Sequence, residues 1–203
     1  MSAQRASSRS NTLAPWAEIV PGVGPTTVDA LLTLPDDEWR YEVVEGVLVR
    51  VAGSGDFATS IAVALAAILF AFVRPRRLGR VTGADGVYKF PGAETGLLPD
   101  VGFYSAALFP LVVDRSKPIP FAPELAIEVA SPGQQAADMA VKAVRYLRGG
   151  TRLVWIVWPD AQAVDVWHPG DSTPSATLRS GDLLDGERIV PGFQHPVAEI
   201  FDV

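Results

Sequence analysis

Two carboxylates and one lysine stand out in this chain because of the segments around them. Glu128 lies inside the apolar run 125–129, and Asp100 comes just before another apolar segment in L-L-P-D-V-G-F-Y. A charge within a core-like strand is costly unless it is paired or binds a metal. Lys142 follows on a predicted helix. Two carboxylates on neighbouring strands and one lysine can support metal-assisted hydrolysis of phosphodiester bonds.

Each of these residues also has an ordinary structural interpretation. An aspartate after proline, such as Asp100, often begins a strand or a turn. A helical lysine is usually solvated, and the apolar pattern around Lys142 does not settle which way it points. Glu128 is harder to explain in this way, because apolar strand interiors tolerate carboxylates poorly. The residues alone therefore leave both a metal site and separate structural roles open.

Composition limits the classes of function. The chain has 203 residues, of which 48% are hydrophobic, and this size suits one domain with a sizeable core. It contains no cysteine, which excludes disulfides, thiolate zinc sites and cysteine nucleophiles. Oxygen ligands remain the realistic metal chemistry. The formal net charge of -6 argues against a broad basic surface but allows a local basic groove.

The apolar segments predict no membrane span. Residues 1–11 are rich in Ser, Arg and Ala without an apolar run, so they do not fit a signal peptide. The longest apolar stretch, 61–73, is shorter than the roughly 20 residues needed to cross a bilayer. We expect a soluble, cytoplasmic protein in which residues 1–25 form a disordered or extended segment and residues 26–203 form a single domain.

Periodicity and turn signals predict the elements that must position these residues. Apolar residues recur at helical spacing over 61–72, and Pro75 is expected to end that helix. A second helix is predicted over 136–147, ended by Gly149 and Gly150. Strands, of which the first is a strand pair or a bent strand, are predicted over 41–51, 80–90, 97–104, 125–130, 153–157 and 163–167. This order predicts an α/β or α+β domain around a mixed sheet.

Five ordered blocks of the sequence resemble those of a known family. They are Y-E-V-V-E-G, L-L-P-D-V-G-F-Y, P-E-L-A-I-E-V-A-S-P-G, D-x-x-x-K-x-x-x-Y and R-L-V-W-I-V-W-P-D, and the tail G-E-R-I-V-P-G-F-Q-H-P-V-A-E-I-F is also similar. Together they resemble the Uma-two family of endonucleases in the restriction-endonuclease-like, PD-(D/E)XK superfamily. Five blocks in order are far more specific than any one motif.

This resemblance implies a restriction-endonuclease-like core, with a central mixed β-sheet flanked by helices, extra N-terminal strands and a C-terminal hairpin. It also implies that Asp100 and Glu128 bind Mg²⁺ or Mn²⁺, and that Lys142 assists the attacking water from a helix instead of a strand. The simple E-x-K form is absent because Ala130 stands two residues after Glu128. DNA is the implied substrate, and a homodimer would offer one site to each strand of a duplex.

Three further residues are assigned supporting roles. Asp138 precedes Lys142 by four residues and is expected to hold the lysine in place. Tyr146 completes the D-x-x-x-K-x-x-x-Y block and belongs to an apolar face that flanks the lysine. Glu42 matches an acidic position of the family in the first strand, where a surface ion pair is favoured over metal contact.

A basic cluster follows the predicted long helix. A phosphate backbone could contact it, although arginines at the negative end of a helix dipole also have a structural explanation. The cluster consists of Arg74, Arg76, Arg77 and Arg80.

Two functions remain open at this point, beside a purely structural dimeric domain, which would suit the tryptophan-rich end of the chain. The first is a Mg²⁺-dependent endonuclease acting on DNA. The alternative is a catalytically reduced member of the same fold that serves as a nucleic-acid-binding or protein-interaction module. Members of the family often carry a histidine near the start of the first long helix, where this chain has Phe57 or Ala58, and that difference favours the alternative.

Overall fold

A computed structural model describes residues 12–35, 37 and 39–203. Its strands, in chain order, are β1 (Glu18–Ile19), β2 (Arg40–Val44), β3 (Val47–Val51), β4 (Gly79–Thr82), β5 (Tyr88–Lys89), β6 (Gly96–Leu97), β7 (Val101–Ser105), β8 (Leu125–Val129), β9 (Leu153–Trp158), β10 (Ala163–Trp167), β11 (Ala176–Leu178), β12 (Leu183–Asp185) and β13 (Gln194–Pro196). The α-helices are α1 (Asp56–Arg76), α2 (Ala136–Arg148) and α3 (Val197–Ile200). Two 3₁₀ helices span Val28–Thr33 and Ala106–Leu111.

The main sheet has six strands in the order β11-β10-β9-β8-β7-β4. Strands β8 and β9 pair in parallel, whereas the other neighbours pair antiparallel, so the sheet is mixed. The central β8 and β9 are almost wholly apolar because both of their faces are covered. The connection between them is α2, as expected for a parallel pair.

A second sheet of five strands has the order β1-β3-β2-β6-β5. Its strand β5 lies against the main sheet, where Tyr88 packs directly over Gly102 of β7. A Cβ atom at Gly102 would lie 2.5 Å from the Tyr88 hydroxyl, so only glycine allows this approach. The last strands, β12 and β13, form a separate two-stranded sheet.

The two faces of the main sheet carry different cores. One face packs against α1, whose residues Ile61, Leu65, Leu69 and Val73 are buried at helical spacing. The other face packs against α2 and residues of the second sheet, and its core is built by Tyr88, Leu97, Ala126, Met139, Ala143, Tyr146 and Val154 among others. Residues on successive positions of β7 and β8 therefore alternate between the α1 face and the α2 face.

The predicted fold class is confirmed, and so are the extra N-terminal strands and the long helices. Three predictions need correction. Pro75 lies inside α1, which ends where Arg77 adopts a left-handed conformation. The ranges 80–90 and 97–104 were each expected to form one strand, but each is divided between the two sheets. A turn separates β4 from β5, and a bend at Asp100 separates β6 from β7.

Only part of the predicted N-terminal segment, residues 12–25, lies within the described residues. Residues 1–11 lie outside the described residues. Farther along, Ala14 and Trp16 are buried, so that part of the predicted extended segment is packed into the fold. The division into one segment and one domain stays a prediction.

The helix α1 is long and apolar enough to cross a membrane by length and composition alone. This is weak evidence for a span, because the core helix of a globular domain passes the same test, and one stripe of α1 is buried against the main sheet.

Candidate active site

The pairing of β7 with β8 brings the two predicted carboxylates together. Val101 pairs with Ile127 in this antiparallel ladder, so one further step places Asp100 opposite Glu128 on the same face. The backbone N–H of Val129 donates to Oδ2 of Asp100 at 2.8 Å, which fixes the carboxylate over the end of β8. The two acidic groups therefore share one corner of the sheet, on the α2 face.

Helix α2 directs Lys142 into the same corner. Met139, Lys142, Ala143 and Tyr146 recur at helical spacing and are all buried, so the lysine belongs to the face that packs on the sheet. Its Nζ lies 2.8 Å from Oε1 of Glu128 and 3.3 Å from Oε1 of Glu42. Lys142 is 4% exposed, which rules out the solvated-lysine interpretation.

Glu42 forms an ion pair as expected, with Lys142, but the expected surface location is wrong because the pair is buried. Glu42 lies on β2, an interior strand of the second sheet, and is 2% exposed. Its Oε2 accepts a hydrogen bond from Nε1 of Trp16 at 2.8 Å, and its Oε1 accepts one from the backbone N–H of Leu98 at 3.2 Å. Because both oxygens already have partners, Glu42 is suited to holding Lys142 in place.

The other two supporting residues differ in their contacts. The hydroxyl of Tyr146 donates to Oε1 of Glu128 at 2.7 Å, deep in the core. Asp138 lines the cavity next to the lysine but does not form the expected contact. Within the described residues, the ion pairs of Lys142 are those with Glu42 and Glu128, because its amine extends toward the sheet and away from the preceding turn of α2.

Burial and neighbouring charge shift the pKa values in this cluster. Burial raises the pKa of Glu128 to about 7; Lys142 opposes this shift, while Asp100 and Glu42 add to it. Burial lowers the pKa of Lys142, but the attraction of Glu128 and Glu42 outweighs it and raises that pKa overall. The lysine therefore stays charged at neutral pH, whereas Glu128 titrates near it.

Two site residues were missed by the sequence reasoning. Arg40 places Nη1 3.3 Å from Oδ1 of Asp100 and donates from Nη2 to the carbonyl of Ala84 at 2.7 Å. Trp16 bonds Glu42 and places its ring 5.7 Å from Nζ of Lys142. An arginine directly before the Y-E-V-V-E-G block was a weak signal for the first, and nothing in the sequence connected Trp16 to a glutamate 26 residues away.

These residues open into a cavity of about 370 Å³. Asp100, Glu128 and Lys142 all line it, together with the loop 52–54 and the turn 131–134. The hydroxyl of Ser131 donates to that of Ser54 at 2.9 Å and joins the loop to the turn. The cavity therefore gives a small ligand access to the charged cluster.

The carboxylates of Asp100 and Glu128 are of the ligand type that a divalent cation such as Mg²⁺ uses. The part of the chain that the structure describes holds no group of three or more His, Asp or Glu side chains placed to bind a metal ion. The site does offer Asp100 and Glu128, and no described hydrogen bond reaches Oε2 of Glu128. Mg²⁺ is commonly bound through one or two carboxylates while it retains several waters.

The four arginines predicted to contact nucleic acid do not line this cavity. Arg74 and Arg80 border a separate groove beside β4, together with Arg115 and Lys117. Arg80 is fixed there by a hydrogen bond to Tyr104 and by stacking on a phenylalanine ring. The other two arginines lie elsewhere: Arg76 stacks on Phe72, and Arg77 ends α1.

Comparison with known proteins agrees with this architecture. A family model named Uma2 and described as "Putative restriction endonuclease" matches residues 28–198, which excludes Trp16. The chain is also similar to the crystal structure of "a putative nuclease belonging to DUF820 from Anabaena variabilis ATCC 29413", with a TM-score of 0.71. The two share 22% identity over 88% of this chain and 98% of the other, a likeness that shows the fold. The curated proteins gave no match.

Replacing Lys142 with methionine will destabilise the metal-free protein. The change leaves Glu42 and Glu128 buried without their counter-ion, which costs about 3–5 kcal/mol of unfolding free energy. Urea denaturation with a chelator measures the loss, and Arg148→Met on the exposed side of α2 is the control. Equal stability of native protein and Lys142→Met would contradict the description of a buried charge cluster.

The titration of Glu128 will make the metal-free protein less stable as the pH rises. A folded-state pKa of about 7 lies above the unfolded value, so the folded state holds the proton more tightly. The resulting stabilisation is complete below about pH 4 and is lost as the pH rises through about 7.

The measurement is the unfolding free energy of the native protein and of Glu128→Gln between about pH 5 and about pH 8. We expect the native protein to lose stability relative to the variant as the pH rises. A difference that stays constant over this range would refute the assignment.

Proposed function

Because the chain belongs to the Uma2 family, described as "Putative restriction endonuclease", we propose that it is a metal-dependent endonuclease acting on phosphodiester bonds in DNA. The main support for the proposal is that Asp100, Glu128 and Lys142 line the same cavity. Lys142 contacts Glu128 directly, and Asp100 lies opposite Glu128 in the ladder. Burying the charges of Glu128 and Lys142 costs free energy, which supports a functional role for them over a purely structural one.

In this proposal Asp100 and Glu128 hold Mg²⁺ or Mn²⁺, with the main-chain carbonyl of Val129 as a further oxygen ligand. The bound cation would supply two effects, a lower pKa for a coordinated water and neutralisation of charge on the scissile phosphate. Residues of the protein determine where the cation would be held. Arg40 holds one oxygen of Asp100, and the N–H of Val129 holds the other, so the carboxylate is oriented before any cation arrives.

Lys142 acts through its positive charge. Two carboxylates within 3.3 Å of its amine keep it protonated, so it orients water and stabilises negative charge instead of removing a proton. Tyr146 and Glu42 limit the movement of the groups around the Lys142 amine, since each is buried and hydrogen-bonded. Trp16 adds a second restraint on Glu42.

We further propose that DNA is the substrate and that the protein acts in the cytoplasm. The groove beside β4 would follow the phosphate backbone through Arg80, Arg115 and Lys117. A homodimer would allow each strand of a duplex to meet its own site.

Cleavage and metal binding test the proposal together. With Mn²⁺, the native protein is expected to nick plasmid or single-stranded DNA, and Asp100→Asn, Glu128→Gln and Lys142→Met to reduce the rate about 10²-fold or more, because each removes charge from the site of phosphate attack. Calorimetry should show Mn²⁺ binding lost in the two carboxylate variants and retained in Lys142→Met.

The control is Glu199→Gln, which removes an exposed carboxylate of α3 and should change neither property. A native protein that binds Mn²⁺ but leaves every DNA form intact would favour the binding-module alternative. A native protein that neither binds Mn²⁺ nor cleaves DNA would refute the proposal.

A further inference from the structure

The side of α1 that faces away from the main sheet has the pattern of a helix-pairing surface. Six residues on this side are separated in turn by four, three, four, three and four positions, which is the spacing of the inner positions in a coiled coil. Val63 is 69% exposed and Phe70 is 47% exposed, so the centre of this stripe is apolar and uncovered. We call it the α1 seam, and its residues are Asp56, Ser60, Val63, Ala67, Phe70 and Arg74.

The α1 seam is complementary to itself in one orientation. When two copies of α1 are laid antiparallel about a two-fold axis near Leu65, Val63 meets the partner's Ala67. Phe70 meets the partner's Ser60 in the next layer, so each layer joins a large side chain to a small one. At the ends, Asp56 meets the partner's Arg74.

We propose that the protein forms a homodimer through antiparallel pairing of its two α1 seams. The charges at the two ends carry the choice of orientation. Within the described residues, neither Asp56 nor Arg74 forms an ion pair. The Arg74 guanidinium lies over the Phe70 ring, 5.4 Å from its centre, and borders the groove beside β4. In the dimer, Arg74 would pair with the partner's Asp56 at this edge of the groove. A parallel pair would instead set Asp56 against aspartate, Arg74 against arginine and Phe70 against phenylalanine, which combines like charges with overcrowding.

The same geometry places the two cavities apart along the helix pair. Ser54 lines the cavity and lies two residues before α1 begins. A 21-residue helix is about 30 Å long, so antiparallel pairing puts the two Ser54 positions at opposite ends of that length. This spacing would serve cleavage of two strands, a consequence that rests on the proposed function, whereas the dimer itself does not.

Sedimentation equilibrium of the full chain at micromolar concentration is the first test. We expect the mass of two chains for the native protein and of one chain for Val63→Asp, because a carboxylate at the centre of the α1 seam would be buried unpaired. The control is Val141→Asp, the same substitution at an exposed valine of α2, which should remain dimeric. Circular dichroism confirms that each variant is folded.

Charge exchange tests the orientation independently of packing. Asp56→Arg and Arg74→Asp should each weaken dimerisation about tenfold, since each sets like charges together at both ends of the pair. The double variant Asp56→Arg/Arg74→Asp restores opposite charges and should recover the native dimerisation constant. Mn²⁺ binding should be unchanged in all three, which separates this test from that of the proposed active site.

Several results would overturn the proposal. A native chain of monomeric mass, or one that sediments only with anionic phospholipid vesicles, would show that the α1 seam has another role. A dimer that survives Val63→Asp would place the interface elsewhere, and a double variant no tighter than the single variants would exclude the antiparallel register.

Discussion

The buried ion pair between Lys142 and Glu128 is the constraint on which the rest of the site depends. The two groups lie 2.8 Å apart and are almost fully removed from solvent. Desolvating two charges can cost more than their attraction returns, so such a pair persists only where further hydrogen bonds satisfy it. Here Tyr146 and Glu42 supply those bonds. Stability alone gives little reason to keep this arrangement, which agrees with the proposed metal-dependent function.

The two-sheet architecture follows from that requirement. The main sheet brings Asp100 and Glu128 together through the register of β7 and β8, and α2 adds the lysine from above. Strand β2 of the second sheet contributes Glu42. Among the described residues, Glu42 is the second carboxylate, after Glu128, that pairs with the Lys142 amine. Gly102 allows Tyr88 of the second sheet to pack closely on the main sheet.

The sequence predicted the site residues whose types are unusual for the segments in which they lie. Glu128 was recognisable because a carboxylate interrupts an apolar strand, and Lys142 gained its meaning from the order of the blocks around it. Glu42 was misjudged because an isolated strand pair cannot reveal that β6 and the N-terminal segment will cover it. Arg40 and Trp16 were missed for a related reason, since their partners lie 60 and 26 residues away in the chain. Long-range packing of this kind leaves no periodic signal.

Anomalous diffraction from crystals grown with Mn²⁺ would show whether Asp100 and Glu128 bind a metal ion. We predict one strong peak in the cavity, about 2 Å from carboxylate oxygens of both Asp100 and Glu128, with the amine of Lys142 nearby but not coordinating. A cavity without a peak at saturating Mn²⁺, or a peak that contacts neither carboxylate, would contradict the proposal that this buried charge cluster is a metal-dependent active site.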